Sequence, residues 1–141
     1  MSKAEGFNIL IADRNPHVRE FLKREMSAEG YRVRLAENGR EVLKRSYDPE
    51  PMDLLILDPD LPDVDATDLI TRLADRIPTL PMVIHTFISD YHCPPVSAGE
   101  IAFVEKRGSS IENLKQIMER LLARAHSAKE VAVEKNGTQT I

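Results

Sequence analysis

The sequence predicts an α/β fold, a doubly wound sheet of five parallel strands with helices on both faces. Three observations carry this. Leu54-Leu55-Ile56-Leu57 is an unbroken aliphatic run bounded by turn residues, the pattern of a strand covered on both faces. Four other strand-like segments alternate with stripes of helical spacing, which implies right-handed crossovers. Polar residues then fall at four strand ends (Asp13, Asp58, Thr86 and Lys106), the carboxyl edge where open α/β sheets bind ligands.

Phe7-Asn8-Ile9-Leu10-Ile11-Ala12 is the first buried strand. Asn15-Pro16 reads as an N-cap with proline at the first helical position. That helix carries Val18, Phe21, Leu22 and Met26 on one face and ends near Gly30. Tyr31 to Ala36 alternates like a strand near a sheet edge. Asn38-Gly39 opens a short helix through Val42 and Leu43, and a Pro-rich loop leads to the central strand. Pro59 and Pro62 stop that strand, because proline lacks the ladder donor. Leu69, Ile70, Leu73, Ala74 and Ile77 form the next stripe, closed by Pro78. Met82 to Thr86 and Ile101 to Glu105 are the last two strands. Between them Cys93-Pro94-Pro95 disfavours a full helix, so a short or irregular one is expected. Ser109-Ser110-Ile111-Glu112 resembles a capping box opening a long helix. A polar tail expected to fray begins near Lys129.

The 141 residues suit one domain with its own core, here 7–126, followed by a polar tail, 127–141. A net charge of −4 argues against a general nucleic-acid surface. A single cysteine rules out an internal disulfide and fits a reducing compartment. No apolar run reaches membrane-span length and no secretion signal is visible, so the expected location is cytoplasmic.

Taken together, Ile9-Leu10-Ile11-Ala12-Asp13, Asp58-x-x-Leu61-Pro62-x-x-Asp65, Thr86 and Phe103-Val104-Glu105-Lys106 resemble the response-regulator receiver domain of two-component signalling, the CheY-like family. The resemblance implies a flavodoxin-like strand order, 2-1-3-4-5. It implies that Asp58 is the phosphoacceptor, attacking a phosphohistidine as a positioned carboxylate. Lys106 matches the lysine that pairs with phosphoryl oxygens, and Thr86 the hydroxyl that binds one of them on activation. Phe103 matches a switching aromatic; plain core packing is the competing reading. Asp13, Asp58 and the backbone carbonyl of Asp60 match the Mg²⁺ ligands, while the side chains of Asp60 and Asp63 are expected to face water. The implied partners are a sensor histidine kinase or phosphotransfer protein and an unnamed output protein, with homodimerisation left open and neither nucleic acid nor membrane involved.

The chain departs from the family in three places. Arg14 stands where a second acid would bind the metal. Two carboxylates against two cations leave no net charge at the site, and guanidinium offers no ligand, so Mg²⁺ binding is expected to be weak or absent. Arg14 could replace the metal as a phosphate clamp, pair with Asp58, or point to solvent. Arg107 follows Lys106 where the family carries a cis proline, so a trans bond and an altered loop are expected. Phe87 follows Thr86 where a small residue is usual, which would hinder access to Asp58 and slow hydrolysis.

His85 reads as a packed strand histidine, and His17 and His126 as surface residues; His85, His92 and Cys93 lack a metal-ligand spacing. The leading reading is therefore phosphoryl transfer to Asp58 and a switched partner face, in a phosphoacceptor domain rather than an enzyme. The alternative is a degenerate receiver that acts only as a docking module. An aspartate-nucleophile phosphohydrolase is prompted by Asp58-Pro59-Asp60, but Pro62 stands where that pattern wants threonine or valine.

Overall fold

A computed structural model describes residues 6–75, 80–87, 101–107 and 110–139, the last helix beyond residue 126 by its backbone alone. The elements are β1 (Asn8–Ala12), α1 (Pro16–Ala28), β2 (Arg32–Ala36), α2 (Gly39–Ser46), β3 (Leu54–Leu57), α3 (Ala66–Ala74), β4 (Met82–Thr86), β5 (Ile101–Glu105) and α4 (Ser110–Gln139). All strand pairs are parallel, in the order β2-β1-β3-β4-β5.

Alternation along the strands assigns two apolar faces. Ile9, Ile11, Leu54, Ile56, Val83 and Val104 pack with Leu22 and Met26 of α1 and with Leu114, Met118 and Leu121 of α4. Leu10, Ala12, Leu55, Leu57, Met82 and Ile84 pack with Val42 of α2 and Leu69, Ile70 and Leu73 of α3. All four β3 residues are at most 1% exposed. Each such aliphatic burial contributes roughly 2 kcal/mol, which is why β3 is the anchor of the sheet.

The helix ends follow local chemistry. Asn15 caps α1 by accepting the His17 N–H, with Pro16 next. At the other end Gly30 takes φ 102°, its N–H reaching Ser27 O while the Tyr31 N–H reaches Met26 O. This paired Schellman closure needs the glycine and draws Tyr31 out of β2, onto the Met26 side of the core. Asn38 and Asp65 cap α2 and α3 through Glu41 N–H and Asp68 N–H.

Two expectations change, and two others fall on residues outside the described ones. The α3 stripe was carried to Ile77, but the helix ends at Ala74 with Asp75 as C-cap; Ile77 and Pro78 lie outside the described residues. The last helix continues to Gln139 rather than giving way near Lys129. Ala128, Glu130 and Ala132 are good helix formers, and the first strong breaker is Gly137. The irregular crossover, with His92 and Cys93, and the Ser109 capping pattern fall outside the described residues.

Candidate functional site

The parallel registers align the strand ends that the sequence singled out. Ala12 pairs with Leu57 and Leu57 with Ile84, so Asp13 and Asp58 leave adjacent strands side by side. Thr86 closes β4 opposite Glu105, and Lys106 follows immediately. Backbone bonds hold the rim together. Asp58 N–H donates to Ala12 O at 2.8 Å, Asp13 N–H to Ala36 O at 3.2 Å, and Lys106 N–H to Thr86 O at 2.8 Å.

Two carboxylates are buried there, Asp13 at 1% and Asp58 at 2% exposure. The Lys106 amino group lies 2.9 Å from Asp13 Oδ2 and 3.5 Å from Asp58 Oδ2. Asp58 Oδ1 accepts the Asp60 N–H at 2.9 Å, and Oδ2 accepts the Arg14 backbone N–H at 3.4 Å. Asp13 Oδ1 accepts the Asn15 N–H at 2.8 Å. Burial pushes the Asp13 carboxyl above the usual carboxylate range. The Asn15 N–H and the Lys106 hydrogen bond oppose the shift, while the Asp58 charge adds to it. The arrangement is a fixed carboxylate oxygen with one cation at hand, shared with a second acid. That is an electrostatic setting for receiving an anionic group.

The Arg14 side chain is mostly exposed and pairs with Asp60 at 3.4 Å. Only its backbone N–H reaches Asp58, so a side-chain pairing of Arg14 with Asp58 is not formed. Asp60 therefore does not simply face water; it holds the arginine at the rim. Asp63 is a plainer correction. Its carboxylate accepts N–H groups of Gly39 at 2.7 Å and Arg40 at 3.0 Å, capping α2 from the β3–α3 loop. These bonds hold the Asp63 carboxyl below its ordinary value, against some desolvation. Two dozen residues separate the partners, so no local spacing announces the contact. Arg19 was also missed; its guanidinium donates to Asp13 O at 2.7 Å and braces the turn after β1.

Thr86 is buried and Phe87 is half exposed. Phe103 is 40% exposed, so it is not a core residue: β5 is an edge strand, and its neighbour Val104 takes the inward position. His85 is packed as expected, at 5% exposure. His17 and His126 are exposed, the latter with an edge-on ring contact to Phe7.

The candidate Mg²⁺ ligands are already partly engaged. Asp13 and Asp58 already spend oxygens on Lys106 and backbone N–H groups, and Arg14 supplies no oxygen. Among the described residues no group of three or more His, Cys, Asp or Glu side chains is placed to hold a metal ion.

Comparison with known proteins puts this geometry in context. The response regulator receiver domain family matches residues 9–119. The chain is 34% identical over 83 residues to the DNA-binding transcriptional regulator NtrC of Proteus hauseri, covering 59% of this chain and 17% of that protein. It is 36% identical over 78 residues to the response regulator MprA of Mycolicibacterium vanbaalenii, covering 55% and 33%. The chain thus spans a third or less of the length of these relatives. Among solved structures, the response regulator TrrA of Thermotoga maritima in complex with Mg(2+)-BeF superposes with a TM-score of 0.71 at 30% identity, covering 82% of this chain and 98% of that one. A complex of the histidine kinase ThkA with TrrA gives a TM-score of 0.69 at 28% identity, with the same coverage.

Proposed function

As the chain belongs to the response regulator receiver domain family, we propose that Asp58 takes a phosphoryl group from a phosphohistidine of a sensor kinase or phosphotransfer protein. The Asp58 carboxylate oxygen attacks phosphorus, the P–N bond breaks, and the imidazole leaves, taking its proton from solvent. The product is a mixed anhydride at the sheet edge. The observation that carries the reading is the Lys106 amino group within 3.5 Å of a buried Asp58 and 2.9 Å of Asp13.

The roles divide by position. The Asp60 N–H fixes one Asp58 oxygen and leaves the other toward Lys106. Lys106 meets the charge that arrives on the phosphoryl oxygens, and Asp13 releases part of its hold on that amino group. Thr86 supplies a hydroxyl from the end of β4, and the half-exposed Phe103 ring on β5 reports its movement to the surface. Arg14, already at the rim through Asp60, serves as a second cation for the phosphoryl group in place of a tightly bound Mg²⁺. A relative solved with Mg(2+)-BeF argues that some metal binding persists; the donor set here makes it weak. The domain, 7–126, works in the cytoplasm and passes the signal to an output protein; a sensor kinase as its donor is supported by the complex of the histidine kinase ThkA with TrrA.

The family match favours this reading over a docking module that is never phosphorylated. Transfer of radiolabelled phosphate from a phosphorylated histidine kinase tests the proposal: label on the wild type and none on Asp58→Asn supports it, and equal label on both overturns it.

A further inference from the structure

We propose that Arg19 is a positioning residue for the phosphoacceptor: it holds the oxygen of the peptide group between Asp13 and Arg14 and so aims the N–H of that group, on Arg14, at Asp58. The proposal rests on the reading of Asp58 as the phosphoacceptor and assigns a further residue to that site.

The reach follows from the start of α1. Asn15 caps the helix and Pro16 opens it, so Arg19 lies in the first turn, its N–H bonded to Asn15 O at 3.0 Å. Helical side chains lean toward the N-terminus. The Arg19 guanidinium therefore reaches back to Asp13 and donates to its carbonyl oxygen at 2.7 Å. Its side chain is 12% exposed, so water competes little for that bond. Its other partner, Glu37, stands at 3.7 Å and is largely exposed, a pair that contributes little by itself.

The peptide group carries the effect to the site. Its C=O and N–H are coplanar and point in opposite directions, so fixing the oxygen fixes the line of the hydrogen. That hydrogen belongs to Arg14 and faces Asp58 Oδ2, with nitrogen and oxygen 3.4 Å apart. The distance is long for a bond to a carboxylate, so the amide is directed without being fully engaged. A phosphoryl group on Oδ2 brings further anionic oxygens, and the amide is already oriented to meet them. A cation on the carbonyl also polarises the amide and strengthens its N–H as a donor. Asp13 itself is held from other directions, by Ala36 O, the Asn15 N–H and the Lys106 amino group. Arg19 therefore sets the direction of the Arg14 amide more than the place of the Asp13 carboxylate.

The experiment uses the full chain, labelled with ¹⁵N, with acetyl phosphate as donor. The bond from Asp58 to phosphorus forms as the phosphorus–oxygen bond to acetate breaks, and acetate leaves as the anion. In the wild type the Arg14 amide proton is expected to move downfield on phosphorylation, a readout that needs no variant. In Arg19→Met, before any donor is added, that amide should exchange with solvent roughly tenfold faster, the scale of one hydrogen bond, while the Ile56 amide of β3 keeps its wild-type rate. Labelling of Asp58 should slow about tenfold in the same variant, less than the ~100-fold of deleting a preorganised donor outright. The contact uses one nitrogen, so Arg19→Lys should recover part of the lost rate. Glu37→Gln should stay within about twofold of the wild type in both readouts. An Arg14 amide that does not move on phosphorylation, equal labelling of Arg19→Met and wild type, no recovery in Arg19→Lys, or Glu37→Gln slowed as much as Arg19→Met would each overturn the proposal alone. A wild type that takes no label overturns the phosphoacceptor reading and this proposal with it.

Discussion

Lys106 reaches from the end of β5 to within 3.5 Å of Asp58 Oδ2, yet sits closer, at 2.9 Å, to Asp13. The amino group leans toward Asp13 rather than toward the proposed nucleophile, Asp58. A phosphoryl group on Asp58 brings new negative charge to the other side of the same amino group, and the balance shifts. Lys106→Met keeps most of the stem and removes the charge. It is expected to slow labelling of Asp58 by acetyl phosphate about 100-fold, the scale of losing one preorganised donor at a developing charge. Single-turnover kinetics measure this.

Arg14 is expected to weaken Mg²⁺ binding, since guanidinium supplies no oxygen ligand. Its guanidinium is tied to Asp60 at the rim. Arg14→Asp changes the formal charge by two and adds oxygen ligands, so Mg²⁺ should bind at least about tenfold more tightly than to the wild type. Titration calorimetry of both proteins decides it; equal affinity would mean the arginine is a bystander.

Gly39 and Val64 form a close joint between α2 and the loop after Asp58. A Cβ on Gly39 would come within 2.3 Å of a Val64 methyl carbon. Alanine for glycine in a helix with open surroundings stabilises by up to ~1 kcal/mol, so the clash decides the sign. Gly39→Ala should destabilise by about 1–3 kcal/mol, and adding Val64→Ala should restore much of the loss. Thermal melts of the single and double variants measure both.

His85 gives the fold a pH signature. Burial, with help from Lys106 and against Asp58, lowers its pKa from 6.5 to about 4. Below pH 6.5 the unfolded chain takes up a proton that the folded chain refuses until about pH 4. Stability should therefore fall as pH drops through that window and be level above it for this group. The loss is on the order of 3 kcal/mol. Urea melts from pH 7 to 4 should show a slope that flattens in His85→Phe.

Phe87 stands half exposed beside the buried Thr86. Phe87→Ala opens that approach to water, so phosphorylated Asp58 should hydrolyse several-fold faster than in the wild type, as expected when a shield against solvent is removed. Decay of the phosphorylated form after removal of the donor gives the two rates.

The fold was legible because its signals are local. β3 is four aliphatic residues between turns, the strand faces alternate, and Asn15-Pro16, Asn38-Gly39 and Gly30 punctuate the helices. The strand-end residues were legible for the same reason, since parallel strands bring their carboxyl ends to one edge. What stayed hidden depends on distance and direction. Nothing near Asp63 announces that it caps α2, and nothing near Arg14 says that its side chain turns to Asp60 rather than Asp58. Phe103 looks like core in an apolar segment, but an edge strand leaves it half covered. The histidine pattern read as packing, and packing it is; its unpaired nitrogens appear only once the neighbours are placed.

The central claim is that Asp58 is the nucleophile of this sheet edge. Intact-mass spectrometry after incubation with acetyl phosphate tests it most directly. The account predicts that the wild type gains the mass of one phosphoryl group, mapped by peptide analysis to Asp58, and that Asp58→Asn gains none. An unmodified wild type, or a variant modified to the same extent, would contradict it.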